Sequence, residues 1–256
     1  MTPLRITVLG SGTSSGVPTI GCRCEVCLST DPRDKRLRPS VLLQYDGHNV
    51  LIDTTPDFRA QVLRIGLQRL DAVLYTHAHA DHILGLDDVR PFNYFQKSTI
   101  PLYATEEAFA IIRRVFAYAF EEGESSRPRL DLRTIDGSTF ELFDRLCTPI
   151  RLLHGKGTVY GFRFGRAAYL TDHSSIPDES KAQLQDLDVL FLDALRRRPH
   201  PTHTTLDDAV ALVEELKPRR AFFTHMCHDL SHAGTEAELP PHIRLAYDGL
   251  EIEVAE

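Results

Sequence analysis

The sequence predicts an α/β (α+β) protein in which two mixed β-sheets pack together with helices outside. Short apolar runs of strand character recur along the chain, and helix-forming segments fall between only some of them, which suits two packed sheets better than alternating βα units. The second half follows a plan similar to the first without a tandem repeat. A chain of 256 residues lies within reach of one hydrophobic core, and no Ser/Gly-rich or Pro-rich linker divides it, so residues 1–256 are expected to form one domain.

Leu4–Leu9 reads as a strand running into Gly10-Ser-Gly12-Thr-Ser-Ser-Gly16-Val-Pro18. The G-x-G-x-x-x-G spacing, with Pro18 where a helix should be gathering length, rejects a dinucleotide-binding turn. Ser40–Tyr45 and Asn49–Asp53 form a hairpin through Asp46-Gly47-His48. Pro56–Gly66 is expected to be a helix with Pro56 near its first position and Gly66 past its end. Ala72–Thr76 is a buried strand that delivers a histidine run. Glu106–Glu122 has helical composition, and Gly123–Pro128 reads as a mobile connection. Residues 105–128 have the length of a lid or an oligomer contact, because Phe109, Phe116, Tyr118 and Phe120 exceed the needs of one core face. Strand signals return in Thr139–Leu142, Thr148–His154, Val159–Phe164, Ala167–Thr171 and Val189–Asp193. Leu206–Leu216 has helical period, with Thr205 and Asp208 as a cap and Pro218 as a stop. Ala221–Thr224 and Ile243–Tyr247 close the series.

Twenty-nine basic against 36 acidic side chains leave a formal charge of −7, which speaks against a general nucleic-acid or anionic-membrane surface. It leaves room for an anionic substrate in one locally positive pocket, and the Arg196–Arg198 run is as readily a solvated face. No stretch approaches the ~18 apolar residues of a membrane span, and the N-terminal apolar run is too short for a secretory signal. A cytoplasmic location is expected, where cysteines serve as ligands more often than as disulfides.

His77-Ala-His79-Ala-Asp81-His82 places four metal-binding side chains within six residues at the end of an apolar strand. A solvated loop needs no such spacing. His77 and His79 point the same way along an extended chain and can grip one ion, while Asp81 and His82 turn toward a second. His154, Asp172 and His225 each follow an apolar strand, which would carry them to one edge of the sheets. Cys22-Arg-Cys24-Glu-Val-Cys27 adds three thiols in residues 21–27, one short of a tetrahedral structural zinc site. Cys147, Cys227 and His228 are candidates for the fourth ligand, with His228 favoured by its place three residues after His225.

The H-x-H-x-D-H run followed by later strand-end His, Asp and His resembles the metallo-β-lactamase superfamily over essentially the whole chain. The resemblance implies a four-layer αββα sandwich with the site at one sheet edge. It implies that His77, His79 and His154 hold one metal, that Asp81, His82 and His225 hold the other, and that Asp172 bridges them. Superfamily members with iron redox chemistry usually carry Glu at the second motif position, so His79 favours hydrolysis. G-C-x-C-x-x-C with T-H-x-x-H resembles the phosphoribosyl cyclic phosphodiesterase group of the carbon–phosphorus lyase pathway and its relatives. That likeness assigns Cys22, Cys24, Cys27 and His228 to a structural zinc. Two catalytic divalent ions, Zn²⁺ or Mn²⁺ with Fe²⁺ or Ni²⁺ as alternatives, plus this zinc are the expected cofactors. A shared water of lowered pKa would be the nucleophile. Asp81 is expected to be catalytic, Asp53 to be a partner of a ligating imidazole, and His203 to be the general acid, with His200 as its rival.

The expected function is a phosphodiesterase on small cyclic or nucleotide-like diesters. A thioesterase, lactonase or β-lactamase on the same scaffold, a tRNA-processing nuclease and a non-enzymatic zinc-stabilised binding module are the alternatives. The expected partner is a small anionic phosphodiester, with no membrane, little call for nucleic acid, and a homodimer left open.

Overall fold

A computed structural model describes residues 2–121 and 126–255. Among the described residues are fourteen strands in two seven-stranded sheets. The first comprises β1 (Leu4–Gly10), β2 (Ser40–Tyr45), β3 (His48–Ile52), β4 (Ala72–Leu74), β5 (Ile100–Ala104), β6 (Leu130–Thr134) and, at its far edge, β14 (Glu251–Val254), in the order β14-β1-β2-β3-β4-β5-β6. The second comprises β7 (Phe140–Leu142), β8 (Arg145–His154), β9 (Gly157–Phe164), β10 (Ala167–Leu170), β11 (Val189–Asp193), β12 (Arg220–Thr224) and β13 (Ile243–Leu245), in sequence order reversed. Each sheet is antiparallel on one side and parallel on the other: β3 to β6 and β10 to β13 run parallel. The carboxyl ends of parallel strands are where open α/β sheets gather ligands, and both sheets turn those ends to the same site.

Side-chain alternation builds the layers. In β2, Val41, Leu43 and Tyr45 face the space between the sheets, where they meet Phe162, Phe164, Tyr169 and Phe191. Leu42 faces the other way and packs with Phe58, Phe92, Phe109 and Ile112 of the covering helices. On the second sheet Leu190, Leu192 and Phe223 face Leu206, Ala209, Val213 and Leu216 of the helix Leu206–Leu216. Helix, sheet, sheet, helix is the αββα sandwich, and the fold expected from the sequence is the fold found.

Several boundaries differ from expectation. The β2–β3 turn is Asp46-Gly47, both with positive φ, so His48 is a strand residue. The first long helix is Phe58–Ile65 with Asp57 at its N-cap, which puts Pro56 outside it; Gly66 ends it at φ 66, as the stop signal required. Thr205 caps its helix by accepting from the Asp208 amide. The segment expected to be one helix from Glu106 is two, Glu106–Val115 and Ala117–Phe120, broken at Phe116. Phe109 and Phe116 are buried in the core and Phe120 packs partly against it, while Tyr118 stays exposed, so core packing accounts for part of the apparent aromatic surplus. Residues 122–125, which carry the end of that expected helix and most of the expected connection, lie outside the described residues.

Candidate metal centre

Asp53, His77, Asp172, Asp193 and His225 all stand at or just past the ends of parallel strands, and His154 ends β8. Three of these turns are left-handed: Asp53 has φ 64, Asp172 φ 55 and His225 φ 58. Such backbone is uncommon outside glycine, and Asp and His are among the residues found there most often. It swings each side chain off the sheet edge toward a common point.

Two donor sets meet there. His77, His79 and His154 bring one nitrogen each within 4.8 Å of one another, and Asp81, His82, Asp172 and His225 likewise bring together two imidazole nitrogens and two carboxylate oxygens. The run that carries four of these residues is extended through His79, then turns into the helix Ala80–Ile83, which is why Asp81 and His82 face a different point from His77. His82 Nε2 lies 3.3 Å from Asp81 Oδ2 and 3.0 Å from Asp172 Oδ2; His225 Nε2 lies 3.2 Å from Asp172 Oδ1 and 3.8 Å from Asp81 Oδ2. Asp172 thus presents one carboxylate oxygen to each imidazole.

The imidazoles are oriented from behind. Asp53 is fully buried and accepts from the Thr76 amide (2.9 Å), the Thr76 hydroxyl (2.8 Å) and His82 Nδ1 (2.7 Å). The Thr76 oxygen in turn lies 3.0 Å from His77 Nδ1. With Nδ1 donating, Nε2 of each ring is left with a lone pair, and the buried Nε2 atoms of His77, His82 and His225 have no hydrogen-bond partner. A lone pair aimed at a carboxylate oxygen 3.0 Å away is repulsive unless a cation lies between. The spacings also suit one: ligands at 2.0–2.1 Å in a tetrahedron are roughly 3.3 Å apart. The residues fit a divalent metal pair.

Without metal, a proton does part of that work. Burial disfavours charge on His82, yet Asp172, Asp53 and Asp81 raise its pKa well above the usual histidine range. Burial opposes charge on His225 too, and Asp172 and Asp193 carry it up to about 9. His77 is held neutral by burial and by His82 beside it.

Asp193, which the sequence marks only as the end of a strand, also belongs to the site. It accepts from His203 Nδ1 at 2.9 Å and lies 3.7 Å from His225 Nδ1. Its signal was available, an apolar strand followed by a carboxylate, as for Asp172. His203 Nε2 points to the site, 4.0 Å from Asp172 Oδ1, and its ring stacks on His225 at 4.7 Å. His200 lies behind it, its ring 5.0 Å away and its Nδ1 near the Thr202 hydroxyl. His173 is buried behind the site, and burial brings its pKa down to about 4. The Arg196–Arg198 run is engaged elsewhere: Arg196 donates to backbone carbonyls, Arg197 pairs with Glu238, and Arg198 with Asp229.

The thiols of Cys22, Cys24 and Cys27 gather with His228, all four ligand atoms within 4.8 Å of one another. His228 Nδ1 lies 3.3 Å from Cys27 Sγ and 3.7 Å from Cys24 Sγ, close to the roughly 3.5 Å between S and N ligands of a tetrahedral zinc. The backbone amides of Cys27 and Thr19 donate to Cys24 Sγ and Cys27 Sγ, as suits thiolates. Cys147 is buried in the inter-sheet core and Cys227 is not part of the group. The loop meets the segment that carries His225 through His228, and ten residues before Cys22 the chain already bridges that segment, Gly12 to Met226.

A sandwich of this kind with a His/Asp donor set at its edge defines a metal-dependent hydrolase. The chain belongs to the metallo-β-lactamase superfamily: its residues 48–226 match the family described as the beta-lactamase superfamily domain. It is similar to the crystal structure of a diphosphatase from the PhnP family, with 53% identity, a TM-score of 0.93 and 98% of each chain covered. It is 38% identical, over 99% of its own length, to a Porphyromonas gingivalis protein named octanoyltransferase, but spans only 52% of that longer protein. Zn²⁺-bound PqqB from Methylobacterium extorquens shares the fold at 21% identity, with a TM-score of 0.76 and 98% of this chain and 100% of that chain covered. No helix among the described residues is long and apolar enough to cross a membrane.

Proposed function

We propose that the chain is a dinuclear metal phosphodiesterase acting on small cyclic or nucleotide-like phosphodiesters. The observation that carries this reading is the pair of adjoining donor sets, His77/His79/His154 and Asp81/His82/Asp172/His225, with Asp172 facing both imidazoles of the second set. A bound pair of divalent ions would supply Lewis-acid stabilisation of the phosphoryl oxygens and a water of lowered pKa. Asp53 and Thr76 fix the ring orientation of His82 and His77. His203, held by Asp193 through Nδ1, directs its Nε2 at the site and, as the imidazolium, would deliver the Nε2 proton to the departing alkoxide. A Cys22/Cys24/Cys27/His228 zinc would steady the segment bearing His225.

The 53%-identical relative is a diphosphatase, so diphosphate diesters belong among the substrates, since both reactions place attack at phosphorus with an oxygen leaving group. The octanoyltransferase name belongs to a protein of which this chain matches about half, and a His/Asp donor set supports hydrolysis better than acyl transfer. The deciding experiment is a screen of cyclic phosphodiesters, nucleotide diesters, diphosphate diesters and thioesters with protein loaded with Zn²⁺ or Mn²⁺, beside Asp172→Ala. Phosphorus substrates should be hydrolysed and the variant should lose the activity. Turnover of thioesters alone would reject the proposal.

A further inference from the structure

Arg36 is only 1% exposed, and its ion-pair partner Asp34, 3.3 Å away, is buried with it. A buried pair seldom stabilises a fold over apolar side chains of the same volume, and Arg36 Nε lacks a hydrogen-bond partner among the described residues. General stability therefore accounts poorly for this pair. Its contacts are more specific. The main chain of Arg36 pairs both ways with Val17, which leads into the cysteine loop: the Val17 amide donates to Arg36 O at 2.9 Å and the Arg36 amide to Val17 O at 2.7 Å. The guanidinium reaches to the other side of the cysteine site. Nη1 donates to Cys227 O at 2.9 Å and Nη2 to Leu230 O at 2.7 Å. Asp34 Oδ1 accepts from the His232 amide at 2.7 Å. The turn Cys227–Leu230, which carries His228, is thus clasped at both ends. The stretch beside His225 has its own ties, since the Met226 amide donates to Ser11 O and the Thr13 amide to Met226 O.

We propose that Arg36 is a positioning residue for the cysteine site: bound to the approach to the cysteines by its main chain and to the turn of His228 by its guanidinium, it sets His228 Nδ1 against the three thiols. The inference rests on the reading of Cys22, Cys24, Cys27 and His228 as zinc ligands. Arg36 touches no ligand atom itself. It acts through two carbonyls that bracket His228, as groups behind a ligand raise affinity by fixing that ligand's direction before the metal arrives. Because Met226 is held separately, the influence of Arg36 is confined to the cysteine site and spares the dinuclear donor sets.

The test titrates zinc against a chromophoric chelator in wild type, Arg36→Lys, Arg36→Met and the double variant Asp34→Asn/Arg36→Met, with Cys24→Ser marking which step belongs to the cysteine site. The double variant removes both charges together, so no uncompensated charge stays buried and the reading survives if Arg36→Met fails to fold. Cobalt-loaded protein adds a spectroscopic signature: sulfur-to-cobalt charge transfer reports the thiolates, and the visible ligand-field bands report whether the histidine completes the tetrahedron. Arg36→Met and the double variant should bind zinc at the cysteine site about 10- to 100-fold more weakly. They should keep the charge-transfer band and shift the ligand-field bands, as expected when water replaces His228. Arg36→Lys, which can still reach one carbonyl, should recover part of the affinity, and the dinuclear site should keep its wild-type affinity throughout. Wild-type zinc affinity at the cysteine site in the Arg36→Met and double variants, or equal losses at both sites, overturns the positioning role while the zinc reading stands. Absence of thiolate-to-cobalt absorption in wild type overturns both.

Discussion

Asp53→Asn tests how the buried carboxylate behind His82 governs metal binding. Asparagine tolerates the left-handed φ of 64 and keeps the shape, so the change isolates charge and acceptor capacity. Asp53 now accepts three buried hydrogen bonds, of 2.9, 2.8 and 2.7 Å. The amide keeps one acceptor oxygen and sets an NH₂ against Thr76 and His82. His82 must then accept at Nδ1, which moves its hydrogen to Nε2, the atom that faces Asp81 and Asp172. Losing one hydrogen bond between charged groups and frustrating a second should cost about 2–4 kcal/mol of stability in the metal-free protein. Affinity at the Asp81/His82/Asp172/His225 set should fall about 10- to 100-fold, with the His77/His79/His154 set changed less. Competition with a chromophoric chelator reads the two affinities separately, and urea unfolding reads the stability. Two wild-type affinities with an unchanged urea midpoint would refute the orienting role.

Three further outcomes are expected. Metal analysis should find about three ions per chain from the two kinds of site, and Cys24→Ser should lose the zinc of the cysteine loop and lower the Tm while retaining the other pair. His203→Ala should slow substrates with poor alkoxide leaving groups far more than bis(p-nitrophenyl) phosphate, and equal losses on both would remove it as general acid. In chelator-treated protein His225 has its pKa raised from 6.5 to about 9, so the stability it contributes is complete below pH 6.5 and lost as pH rises through about 9. The urea midpoint of the metal-free protein should fall over that window, and a midpoint that rises would contradict the Asp172 and Asp193 pairing.

The sandwich and most of the site were legible because their signals are local. Four donors in His77–His82 and the repeated pattern of apolar strand then ligand pointed to His154, Asp172 and His225, which the folded chain gathers. Asp193 carried the same signal and was missed because nothing in one sequence tells a capping carboxylate from one that holds His203. Strands β5, β6 and β14 were passed over for different reasons. Pro101 interrupts the pattern of β5, while β6 (LDLRT) and β14 (EIEV) do alternate but are short edge strands, so their period-2 signal spans too few residues to stand out. Backbone sign is also invisible: no pattern announces that His225 adopts φ 58.

That last feature sets the protein's two demands against each other. A left-handed residue other than glycine stores about 1–3 kcal/mol, and at Asp53, Asp172 and His225 the side chain that forces the cost is the one the chemistry uses. Glycine at any of the three would relax the main chain and empty the position of its donor. At His225 that relief would also remove the imidazole paired with Asp172 and Asp193 and leave a void in its place, so the strain there cannot be shed without the donor.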